Sequence, residues 1–144
     1  MTATPSPLIL VVDDYQDGRE MYAEYLTYRG FRVHTADSGE EAIRTIVAEI
    51  PSIVLMDIGM RGLTGTDTMR LLRDRHLCDG VPILALTGFA LESETTQALA
   101  DGFDAVIPKP CLPEDLVFII RSILDGESIS GSTPPLTDGR AGTD

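Results

Sequence analysis

A chain of 144 residues with 43% apolar content is long enough to bury one core of ordinary domain size. Its 23 acidic and 11 basic residues give a formal net charge of −12, which argues against direct DNA or RNA binding, because phosphate contacts need a basic face. No apolar run approaches the ~20 residues of a membrane span, and Met1 to Pro7 lacks the basic start and apolar stretch of a secretory signal, so a cytoplasmic protein without membrane contact is expected.

Residues 1–7 read as a flexible lead-in. Leu8-Ile9-Leu10-Val11-Val12 is a continuous apolar run that ends in Asp13 and Asp14. Such a run reads as a strand buried on both faces. From Asp17 to Arg29 the spacing turns helical, with Met21, Tyr22, Tyr25 and Leu26 on one stripe and Gly30 placed to end it in the left-handed conformation. Phe31 to Ala36 is a shorter, more polar strand, expected near a sheet edge. Ala42, Ile43, Ile46 and Val47 mark the next helix, with Glu40 and Glu41 in its favourable first turn and Pro51 after it.

Ile53-Val54-Leu55-Met56-Asp57 is the most informative stretch: four apolar residues run straight into a carboxylate. Gly59 to Gly65 is a glycine-rich loop, after which Thr64 or Thr66 is placed to cap a helix reaching about His76, with Met69, Leu71 and Leu72 facing in. Val81 to Leu86 is a further strand ending in Thr87-Gly88. A weakly amphipathic helix over Glu92 to Ala100 carries Ala98 and Leu99. Ala105-Val106-Ile107 ends in Pro108-Lys109-Pro110, and Pro113 opens a last helix with Leu116, Ile119, Ile120, Ile123 and Leu124. From Gly126 the composition shifts to Gly, Ser, Thr, Pro and Asp, so 126–144 is expected to be a disordered tail. Five strands alternating with five helices predict an α/β, doubly wound parallel sheet.

In such sheets ligands bind at the carboxyl ends of the strands. Asp13, Asp14, Asp57, Thr87 and Lys109 all stand at such ends. Taken singly, each has an ordinary explanation as a turn, a cap or a solvated side chain. Taken together they have a chemistry. Clustered carboxylates repel unless a cation joins them, and a hard-oxygen site of this kind suits Mg²⁺. A carboxylate can carry a phosphoryl group covalently, while a hydroxyl and an ammonium bind its oxygens. His34 and His76 are isolated, and Cys78 and Cys111 form no metal spacing, so no zinc site is expected.

These residues resemble the receiver domain of two-component response regulators of the chemotaxis-regulator type, over residues 8–125. The resemblance implies a flavodoxin-like sheet of order 2-1-3-4-5. It implies that Asp57 is the phosphoacceptor, that Asp14 binds the metal directly and Asp13 through water, and that the Gly59 backbone carbonyl is a further ligand. Thr87 and Lys109 match the phosphoryl-binding pair, and Gly88 and Pro110 match their neighbours; Asp57, Thr87 and Lys109 would carry the phosphotransfer chemistry. Met60 and Gly65 fall on the family's D-x-x-M-P-x-x-x-G. There are three departures. Arg61 replaces the proline, with a looser loop expected; Gly59 has no side chain; and Val106 replaces the usual aromatic switch residue.

The function implied is a single-domain, Mg²⁺-dependent response regulator, not a metabolic enzyme. A histidine kinase or histidine phosphotransfer protein would donate the phosphoryl group, and the face formed by helix 4, strand 5 and helix 5 would meet a downstream partner. Two alternatives stand beside it, an aspartyl-phosphate phosphatase and a degenerate receiver that only binds partners. A phosphatase would need a second Asp at the position of Gly59, and the intact acidic set argues against degeneracy. A nucleotide-binding protein of similar architecture would need a phosphate cradle after strand 1, where Asp13-Asp14-Tyr15-Gln16-Asp17 stands instead.

Overall fold

A computed structural model describes residues 6–88 and 92–126. Five strands alternate with five helices: β1 (Leu8–Val12), α1 (Gln16–Tyr28), β2 (Arg32–Ala36), α2 (Gly39–Ala48), β3 (Ile53–Asp57), α3 (Gly65–Asp74), β4 (Ile83–Thr87), α4 (Glu92–Asp101), β5 (Ala105–Pro108) and α5 (Pro113–Leu124). All strand pairings are parallel and the sheet order is β2-β1-β3-β4-β5. The flavodoxin-like order expected from the sequence is the one found.

The sheet separates two apolar layers, because alternate side chains of a strand leave on opposite faces. Ile9, Val11, Ile53, Leu55, Leu84, Leu86, Ala105 and Ile107 meet Tyr22 and Leu26 of α1 and Leu116, Val117, Ile119 and Ile120 of α5. Leu10, Val12, Val54, Met56, Ile83, Ala85 and Val106 meet Ala42 and Ile46 of α2, Met69 and Leu72 of α3 and Ala98 of α4. Burial on both faces explains why the central strands read as unbroken apolar runs. β2, the more polar strand, lies at the edge, as its composition predicts.

Helix ends follow local chemistry. Ser38 accepts from the Glu41 backbone N–H at 3.1 Å and opens α2, and Thr64 accepts from the Asp67 N–H at 3.0 Å and opens α3. Gly30 follows α1 at φ +99°, the conformation expected of it. Four details differ from the sequence reading. α3 stops at Asp74, because the chain turns over at His76 with φ +56°. β4 starts at Ile83, after Pro82, which has no N–H for a ladder. Met21 and Val47 are exposed. A helix lying on a sheet buries the i, i+4 pairs Tyr22–Leu26 and Ala42–Ile46, and the residue flanking each pair, Met21 before the first and Val47 after the second, is turned outward. Of the expected terminal segments, 1–5 and 127–144 lie outside the described residues.

Candidate functional site at the carboxyl edge of the sheet

Strand register brings the candidate residues together. Val12 pairs with Met56, so Asp13, the residue after β1, comes level with Asp57 at the end of β3. Thr87 of β4 pairs with Pro108 of β5, and the Lys109 N–H donates to the Thr87 carbonyl at 2.7 Å. Asp13, Asp57 and Lys109 continue the strand positions that face α1 and α5, whereas Thr87 continues those that face α4.

One oxygen from each of Asp13, Asp14 and Asp57 lies within 4.8 Å of the other two. Asp13 is 1% exposed. Its Oδ1 accepts from the Tyr15 N–H at 3.0 Å, and its Oδ2 from Lys109 Nζ at 3.3 Å. Lys109 Nζ also donates to Asp57 Oδ2 at 3.3 Å. Burial pushes the Asp13 carboxyl up; the Tyr15 N–H and Lys109 oppose that shift without reversing it. Burial acts to lower Lys109, but Asp57 and then Asp13 outweigh it and hold the ammonium above its ordinary value. One ammonium thus partly balances two carboxylates. The third, Asp14, is held below the usual carboxylate range, chiefly by the Arg61 backbone N–H. Three carboxylates with converging oxygens could hold a hard divalent cation such as Mg²⁺, with water completing its shell.

The surrounding chain fixes this cluster. Arg19 of α1 donates to the Asp13 carbonyl at 2.8 Å. The buried Tyr22 hydroxyl donates to the Cys111 carbonyl at 3.1 Å and ties α1 to the segment after Lys109, whose peptide bond to Pro110 is cis. Gly65 packs its α-carbon against the end of β3, and a Cβ there would run into the Asp57 carbonyl oxygen and, at 2.8 Å, the Ile58 α-carbon. The Gly59 N–H donates to Asp57 Oδ1 at 2.9 Å. A cavity of about 490 Å³ opens beside Asp57, lined by Gly59, Thr87, Gly88 and Lys109 and, from α4, by Glu94, Gln97 and Asp101.

The family model described as response regulator receiver domain matches residues 9–121. The chain belongs to that family. Among similar curated proteins, the response regulator MprA of Mycolicibacterium vanbaalenii is 37% identical over 116 residues, which is 81% of this chain and 49% of that protein. The response regulator SaeR of Staphylococcus aureus is 34% identical over the same share of the chain and 50% of its own length. The receiver domain therefore spans about half the length of these relatives. Among solved structures, the CheY-like receiver domain protein of Methanospirillum hungatei superposes with a TM-score of 0.75 at 30% identity, over 83% of this chain and 94% of that one. The chemotaxis protein CheY4 of Vibrio cholerae gives 0.77 at 26% identity, over 82% and 98%. A Burkholderia pseudomallei response regulator, solved with a phosphorylated aspartic acid, calcium ion and citrate, gives 0.73 at 28% identity, over 83% and 69%.

In this receiver domain Asp13, Asp14, Asp57, Gly59, Thr87, Gly88, Lys109 and Pro110 all lie at or beside the carboxyl edge of the sheet, whereas Val106 does not. That residue is 1% exposed and packs in the core layer that contains Ala98 of α4. Sequence reasoning missed the bonds from Arg19, Tyr22 and Arg61. It expected Arg61 to loosen the loop. Instead its backbone N–H, which a proline lacks, donates to Asp14 Oδ2 at 3.1 Å, and its Nε to the same oxygen at 3.3 Å. The polar lining from α4 was also missed, since only the packing of that helix brings Glu94, Gln97 and Asp101 to the cavity. Among the described residues, no helix is long and apolar enough to cross a membrane.

Proposed function

We propose that this receiver domain takes a phosphoryl group on Asp57 in a Mg²⁺-dependent reaction and thereby switches its affinity for a protein partner. The observation that carries the reading is Lys109 Nζ, held 3.3 Å from Asp57 and 3.3 Å from Asp13 within a cluster of three carboxylates. A similar response regulator from Burkholderia pseudomallei carries a phosphorylated aspartic acid and a calcium ion.

The donor is a phosphohistidine on a histidine kinase or histidine phosphotransfer protein. An Asp57 carboxylate oxygen forms a bond to phosphorus, the phosphorus–nitrogen bond breaks, and the imidazole leaves with its electron pair and takes a proton from solvent. Asp14 would hold Mg²⁺ directly, Asp13 through water, and Asp57 and the Gly59 carbonyl would complete the protein's share. Bound there, Mg²⁺ offsets negative charge on the transferring group. Lys109 binds a phosphoryl oxygen as its contact with Asp57 loosens, and the Thr87 hydroxyl binds another. Gly88 and Pro110 flank these two groups. Hydrolysis of the acyl phosphate by water resets the protein, a signalling cycle and not a metabolic one.

The Thr87 movement would be read on the face of α4, β5 and α5. Phe118 of α5 is 58% exposed and belongs to the helix that contributes to that face. The expected switch loop includes residues 89–91, which lie outside the described residues. We further propose that the domain acts by protein contact, without nucleic acid of its own.

Incubation with Mg²⁺ and a small acyl or amide phosphodonor tests the assignment. The chain should gain the mass of one phosphoryl group, in an acid-stable, base-labile linkage. Asp57→Asn should gain none, and labelling of that variant at a comparable rate would refute the site.

A further inference from the structure

We propose that Arg61 is a built-in competitor for the divalent cation: its guanidinium pairs with Asp14 and weakens Mg²⁺ binding at the acidic cluster. The inference rests on reading the cluster as a cation site, and it adds a specificity element within the chain itself.

Three carboxylates meet at the cluster, and each has a positively charged partner within reach. Lys109 serves Asp13 and Asp57. Arg61 serves Asp14 alone, through Nε to Oδ2 at 3.3 Å. The same oxygen also accepts the Arg61 backbone N–H at 3.1 Å. One oxygen of the expected direct ligand is therefore engaged twice by one residue. Asp14 is also the least buried of the three carboxylates, with its side chain 23% exposed against 13% for Asp57 and 1% for Asp13.

A dication arriving at Asp14 meets a guanidinium already held there. Like charges then oppose entry, and the formal charge of the cluster is reduced from −2, with Lys109 alone, to −1 with both cations counted. The two Arg61 contacts are separable. The backbone N–H remains with any residue except proline, whereas the guanidinium can leave. The Arg61 side chain is 89% exposed, so once its contact with Asp14 is given up it can swing into solvent when a cation binds. The arrangement raises the Mg²⁺ concentration needed to fill the site and leaves the ligands themselves intact.

Titration of the full chain with Mg²⁺, followed by the amide NMR shifts of Asp14 and Gly59, tests this without any phosphorylation. Arg61→Gln keeps much of the stem and removes the charge. It should bind Mg²⁺ up to about fivefold more tightly than the wild type at low ionic strength, the range expected of an exposed ion pair. Arg61→Lys keeps the charge and should stay close to the wild type. Added salt should narrow the gap between Arg61→Gln and the wild type, since an exposed charge is screened. Equal or weaker binding by Arg61→Gln overturns the inference and leaves the cation site standing. Arg61→Lys matching Arg61→Gln overturns it as well, because charge would not be the cause. No Mg²⁺-dependent shift in any of the three chains overturns the cation-site reading, and the inference falls with it.

Discussion

Lys109 donates through Nζ to Asp57 Oδ2 at 3.3 Å, although 52 residues separate the two in sequence. The same ammonium reaches Asp13, so its loss leaves two carboxylates facing each other without a counter-charge. Breaking a buried ion pair costs about 3–5 kcal/mol. The Lys109 side chain is 27% exposed, and partial screening brings the expected loss for Lys109→Met to about 1–3 kcal/mol, a fall of several degrees in melting temperature. Mg²⁺ should raise the melting temperature of the variant more than that of the wild type, because it supplies the missing positive charge. Thermal melts with and without Mg²⁺ check both statements.

Cation binding should weaken on acidification in a particular order. Burial raises the Asp13 carboxyl, and the Arg61 backbone N–H lowers that of Asp14. As pH falls from neutrality, Asp13 therefore takes up its proton before Asp14 does. A protonated ligand is a poorer one, so Mg²⁺ affinity should decline as pH drops through the raised Asp13 value and level off above it. Asp13→Asn should bind more weakly near neutral pH and lose that first step. Titrations of both chains at several pH values, read by amide shifts, decide this; identical pH profiles would contradict it.

Gly65→Ala tests whether backbone approach positions Asp57. The new Cβ would meet the Asp57 carbonyl and the Ile58 α-carbon, which are main-chain atoms and yield little. Overpacking of this kind costs about 1–3 kcal/mol, against a gain in helix propensity of up to about 1 kcal/mol. The variant should be less stable and slower to accept phosphate. Gly59→Ala is the control. Its Cβ would lie 3.7 Å from Asp57 Oδ1, an ordinary contact, so stability should stay close to that of the wild type.

Readout should depend on Thr87 and not on Val106. Thr87→Ala should still accept phosphate yet lose phosphorylation-dependent partner binding. Val106 is buried and has no ring to turn; Val106→Ala should change binding little beyond a packing loss of roughly 1–3 kcal/mol. Partner affinity measured with and without phosphodonor separates the two. Loss of switching in Val106→Ala alone would reverse the assignment.

Much of this was legible in the sequence because the relevant signals are local. Unbroken apolar runs ending in Asp13, Asp57 and Thr87 specify buried parallel strands, and the site follows from where such strands end. The polar strand Arg32–Ala36 placed itself at the edge by composition. What escaped depends on tertiary register. The Arg61–Asp14 pair joins residues 47 apart, and Tyr22–Cys111 joins residues 89 apart. No spacing rule reaches across such gaps. The outward turn of Met21 and Val47 escaped for a different reason: four-residue apolar stripes are wider than the contact a sheet offers to one helix.

α4 is attached to the sheet differently from its neighbours: Ala98 is its one fully buried side chain, whereas α5 buries Leu116, Val117, Ile119 and Ile120. Local opening free energy follows such differences in apolar contact. Amide protons of α4 should therefore exchange with deuterium well before those of α5, through openings that leave the sheet intact. α4 also lines the cavity beside Asp57, so the less firmly anchored of these two helices is the one that stands next to that carboxylate.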